Sequence, residues 1–96
     1  MHEFAVAEDL VEEVLCLARA DGPAAVREIH VSLGADSGFS ADALRLAFEV
    51  ITAVSPLRRA ALRITEAPGP DVVLRRVVLD VPDRAPAEAG VAAAGP

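Results

Sequence analysis

The sequence predicts an α+β fold, a two-layer sandwich with two helices packed on one face of a three-stranded mixed sheet, in the order helix, strand, helix, strand, strand. Three observations carry that prediction. Two stretches space their apolar residues by three and four, the period of an amphipathic helix. Three others alternate apolar and polar residues, the period of a half-buried strand. Clusters of Gly, Pro, Asp and Ser separate the five.

From Phe4 to Ala20, Val6, Leu10, Val14 and Leu17 recur at helical spacing beneath an acidic outer face. Asp21-Gly22-Pro23 ends that helix, since Gly22 is free to take the left-handed conformation and Pro23 cannot continue the ladder. Ile29, Val31 and Leu33 then alternate with Glu28, His30 and Ser32. After the turn Gly34-Ala35-Asp36-Ser37-Gly38, Ser40 reads as an N-cap with Asp42 in the first turn. The second helix runs to about Val54 with Leu44, Ala47, Phe48 and Ile51 inward, and Pro56 closes it. Ala60, Leu62 and Ile64 mark a second strand and Val72 to Val81 a third. The link Ala67-Pro68-Gly69-Pro70-Asp71 is short enough to predict an antiparallel hairpin between them. One domain, residues 1–81, is expected, followed by a flexible Ala/Pro/Gly-rich tail, 82–96. The expected outer face of the sheet carries Glu28, His30, Ser32, Arg63, Arg76 and Asp80.

Composition narrows the function. Ninety-six residues support one modest core. A net charge of −6 and a pI near 4.7 disfavour nucleic acid and anionic membranes as partners and favour cations. Cys16 is the single cysteine, so one chain builds neither a disulfide nor a cysteine cage for zinc, and a reducing cytoplasm is the expected compartment. The acidic start reads as neither a secretory signal nor a membrane span. No nucleophile elbow, phosphate-cradling glycine pattern or Ser-His-Asp signature occurs, so no enzyme is expected. Cys16 reads as a small core residue of the first helix, His30 as a solvated or interface histidine, and Asp36 and Asp42 as local caps.

Met1-His2-Glu3 can chelate a metal without help from the fold. The α-amine of Met1, the amide nitrogen of His2 and the near imidazole nitrogen of His2 close adjacent five- and six-membered rings around one ion, with Glu3 supplying a fourth donor through its amide or its carboxylate. A planar, nitrogen-rich set is the preference of Ni(II) and Cu(II) rather than Zn(II).

Met1-His2-Glu3-Phe4, the acidic helix, Val31-x-Leu33-Gly34-x-x-Ser37-Gly38 and Ala43-Leu44-x-x-Ala47-Phe48-Glu49-Val50, in this order and spacing, resemble the HypA/HybF family of hydrogenase nickel-incorporation proteins. The likeness runs from Met1 to about Glu66. It implies a nickel metallochaperone for [NiFe]-hydrogenase maturation, with Met1, His2 and Glu3 as Ni(II) ligands and with a maturation GTPase and the hydrogenase large subunit as partners. The family's zinc module, held by two Cys-x-x-Cys pairs between the second strand and a returning one, has no counterpart between Glu66 and Val72, so no structural zinc is expected. The Glu that usually follows the turn's first glycine is Ala35. A rival expectation is a metal-independent interaction module for hydrogenase maturation that has lost nickel delivery. Residues 58–76 hold five Arg against Glu66 and Asp71, whereas the first twenty hold Arg19 against five carboxylates, a polarity that orients a partner without metal. Pairing with a second copy through the edge of the third strand, giving a homodimer, stays open.

Overall fold

The computed structural model describes residues 2–80 and the backbone of 87–90. Helix α1 (His2–Leu17) leads through a single 3-10 turn (Pro23–Ala25) to strand β1 (Val26–Gly34), helix α2 (Ala41–Thr52), and strands β2 (Ala61–Ala67) and β3 (Val72–Leu79). This is the two-layer α+β arrangement that the periodicities predict. A short fourth strand, β4 (Ala87–Gly90), pairs antiparallel with β3; nothing in the composition of 82–96 signals it, and the rest of that stretch lies outside the described residues, as does Val81.

Local chemistry accounts for the ends of the elements. Gly22 has φ 89°, and its N–H closes α1 on the Ala18 carbonyl at 2.8 Å. The Ser40 hydroxyl accepts from the Ala43 N–H at 3.0 Å, capping α2 as predicted, with Asp42 in the first turn. At the other end the Thr52 hydroxyl donates to the Phe48 carbonyl at 2.9 Å, which satisfies a buried hydroxyl within the helix.

Apolar side chains from both layers meet in one core. Ala7, Leu10 and Val14 of α1 and Leu44 and Phe48 of α2 pack over Ile29, Val31 and Val77 of the sheet. Full burial of each large side chain contributes about 1.5–3 kcal/mol, which holds the helices to one face. Cys16 is not part of this core. It is exposed, because residues 7, 10, 11, 14 and 18 form the buried stripe of α1 and position 16 falls outside it.

The sheet order is β2-β1-β3-β4, so the expected hairpin between β2 and β3 does not form. β1 lies between them, parallel to β2 through the crossover helix α2 and antiparallel to β3. The link after β2 steps across the end of β1 and enters on its far side. Two strand spacings are about 10 Å, and four linking residues reach further than that. Backbone hydrogen bonds fix the crossing: Gly34 N–H to the Asp71 carbonyl at 2.8 Å, Ala35 N–H to Ala67 at 2.7 Å, and Asp36 N–H to Gly69 at 2.9 Å.

Gly34 stands beneath that crossing, where any Cβ would overlap the Gly69 carbonyl oxygen and come within 2.8 Å of the Asp71 backbone. Backbone on both sides leaves no flexible group to yield. Gly34→Ala therefore lowers unfolding stability by about 2–3 kcal/mol or more, read as a drop in the urea midpoint. Ser40→Ala costs about 1 kcal/mol by the same assay. A Gly34 variant less affected than the Ser40 variant contradicts the crossing.

Candidate metal centre

His2 is the first residue of α1 and is exposed, and Glu3, half-buried, follows in the same turn; Met1 lies outside the described residues. The first four N–H groups of an α-helix have no acceptor within the helix, so the amide nitrogens of His2 and Glu3 can be engaged without breaking a helical hydrogen bond. The Glu3 carboxyl is held below the ordinary carboxylate range, first by hydrogen bonding to its own backbone N–H, then by the ammonium of the amino terminus and the charge of His2. At neutral pH Glu3 thus carries an ionised carboxylate in the same helical turn as His2.

Among the described residues no three His, Cys, Asp or Glu side chains cluster as a metal cage. Val6, Asp9, Leu10 and Glu13 of α1 face Phe39 and the crossing residues Pro70 and Asp71 across a groove of about 280 Å³.

The other residues singled out in the sequence lie elsewhere. His30 sits on the outer face of the sheet, its Nε2 2.8 Å from Glu28 Oε1 and 3.3 Å from Arg76 Nη2. With the proton on Nε2 the ring donates to the carboxylate. Asp36 is exposed at the pinned turn, and Asp42 serves the N-terminus of α2. Sequence reading missed Arg75. A register shift between His30 and Val31 sets two adjacent arginines toward the outer face, where Arg75 Nε donates to the Ser32 hydroxyl at 3.1 Å. The Arg75-Arg76 pair in an otherwise apolar strand is the signal that could have found it.

The fold is a small α+β domain whose first helix begins with a histidine and a glutamate in its first turn. The chain belongs to the HypA family: residues 1–70 match the family described as hydrogenase/urease nickel incorporation, metallochaperone. It is 41% identical over 69 residues to hydrogenase maturation factor HypA of Bradyrhizobium sp. (strain ORS 278), an alignment covering 72% of this chain and 61% of that one. Similarity to HypA of Roseiflexus sp. (strain RS-1) is 41% over 68 residues, covering 71% of this chain and 55% of the relative. For HypA of Chloroflexus aggregans (strain MD-66 / DSM 9485) it is 34% over 68 residues, 71% and 60%. The chain thus spans under two thirds of the length of these relatives. None of the described helices is long and apolar enough to cross a membrane.

The Glu28 carboxyl is also held below its ordinary range, first by the hydrogen bond from His30 and then by the charges of Arg63, His30 and Arg76. A depressed carboxylate contributes stability that is fully present above its unfolded pKa and is lost as pH falls through the folded one. His30→Ala removes the largest cause. NMR titration of the Glu28 side chain in that variant is expected to show its pKa moving up toward the ordinary range, with a smaller loss of stability on acidification than in the parent. An unmoved titration assigns the shift to the arginines instead.

Proposed function

We propose that this chain is a non-enzymatic nickel-binding accessory protein for hydrogenase maturation, with Ni(II) as its cargo at Met1, His2 and Glu3. The observation that carries the reading is the position of His2 and Glu3 in the first, exposed turn of α1, where the amides lack helical acceptors and the Glu3 carboxylate is ionised. Membership of the HypA family supports the nickel assignment over copper.

The chemistry follows from the donors. The amine and amide nitrogens must shed protons to coordinate, so binding releases protons and strengthens as pH rises around and above the amine pKa of about 8. The ion is bound at the edge of the fold, few ligands are committed, and a competing chelate can take it one donor at a time. Such a site favours delivery over storage. A maturation GTPase and the hydrogenase large subunit are the proposed recipients or helpers, and the cytoplasm the proposed compartment. The proposed domain is residues 1–81, with no structural zinc.

Nickel titration by calorimetry tests the site on protein beginning at Met1, on His2→Ala and on a variant extended by one residue before Met1. Affinity is expected to fall at least about tenfold in both variants and, in the parent, to rise between about pH 7 and 9. Equal affinity in all three ends the proposal. The charge division between α1 and residues 58–76 supports the second reading, a metal-independent interaction module; capture of a maturation partner in chelator, together with absent nickel binding, favours it.

A further inference from the structure

The outer face of the sheet is built as a cationic surface although the protein as a whole is acidic. Arg63 on β2, His30 on β1 and Arg76 on β3 stand in one register row across three strands. In the next row Ser32 pairs with Thr65, and the register shift in β3 brings Arg75 onto Ser32. A plain strand would send Arg75 and Arg76 to opposite faces, so the irregularity doubles the charge at this point. The helices cover the other face of the sheet. A shallow groove of about 370 Å³ runs between His30, Ser32, Thr65, Arg75 and Arg76.

Glu28 is the carboxylate set among these groups, and its depressed pKa registers the field of Arg63 and Arg76. It sits in the field of two guanidiniums, Arg63 and Arg76, and beside His30. Each cationic head is kept at its own place, Arg75 on the Ser32 hydroxyl and Arg76 against the His30 ring, with Arg63 exposed one strand beyond. Charge spread in this way fits carboxylates in series rather than one compact anion. Val73 and Val78, half-buried in register with Ser32 and Glu28, add apolar contact beside the charges.

We propose that this face docks a segment of a partner protein rich in Asp and Glu, laid across β2, β1 and β3. Nucleic acid is the poorer match. The aromatic residues of the chain, Phe4, Phe39 and Phe48, all belong to the helices or the turn before α2, so none is available on this face for base stacking. The surface is separate from the start of α1, and its occupancy does not depend on nickel.

Fluorescence anisotropy of a labelled short peptide of alternating Glu and Val, with its Gln counterpart as a control, tests the proposal on the full chain. The Glu peptide is expected to bind, more weakly as salt rises, and the Gln peptide not to bind. Arg63→Glu with Arg75→Glu is expected to weaken binding by about tenfold or more, and Arg63→Gln with Arg75→Gln by less. Arg58→Glu with Arg59→Glu, exposed outside the sheet, is expected to leave binding within about twofold; circular dichroism confirms folding of each variant. Absent binding, equal losses in the two Glu pairs, or binding of a labelled single-stranded oligonucleotide but not the peptide would each overturn it.

Discussion

A link of four residues has to cross the end of the central strand, and much of the molecule follows from that constraint. The crossing works because Gly34 has no side chain where the Gly69 and Asp71 backbones pass, and because three N–H groups of the turn donate to the link. With β3 delivered to the far side, β1 is paired along both edges and its inward residues Ile29, Val31 and Leu33 are sealed. Both helices then have a closed apolar surface to cover. The link residues Pro70 and Asp71 also line one side of the groove whose other side is Val6, Asp9, Leu10 and Glu13 of α1.

The relatives that this chain resembles are longer, and the resemblance in its sequence places a zinc module between the second strand and the returning one. Here Ala67 to Asp71 occupy that point of the chain. With Ala67 still in β2, the sheet closes through four residues, so the pairing of β1 with β3 needs nothing between Glu66 and Val72 beyond the reach of the crossing. The proposed donors lie at the start of α1, away from this stretch.

The two helices, the three main strands, the cap at Ser40 and the stop at Gly22 were legible in the sequence because each rests on contacts within a few residues. The amino-terminal donor set was legible for the same reason, being three consecutive residues. Strand pairing was not. A short link between two strands argues for a hairpin, and the tertiary demand that β1 be paired on both sides overrode it. Cys16 looked internal among Leu15, Leu17 and Ala18, but a stripe defined by Ala7, Leu10, Val14 and Ala18 leaves it outside. Arg75 went unread because a register irregularity is a property of two strands together, invisible in either alone.

Charge completes the account. The outer side of α1 exposes Glu8, Asp9, Glu12 and Glu13, while the opposite layer exposes Arg63 and Arg75 on the open face of the sheet. A cation and an acidic partner would therefore approach from different sides. The central claim, that nickel is taken by terminal nitrogen donors and by no thiolate, is tested most directly by nickel K-edge X-ray absorption on the loaded protein. The account predicts a square-planar Ni(II) edge with nitrogen and oxygen neighbours and the scattering of one imidazole. A sulfur neighbour, from the Cys16 thiolate or the Met1 thioether, or a six-coordinate site of several imidazoles, would contradict it.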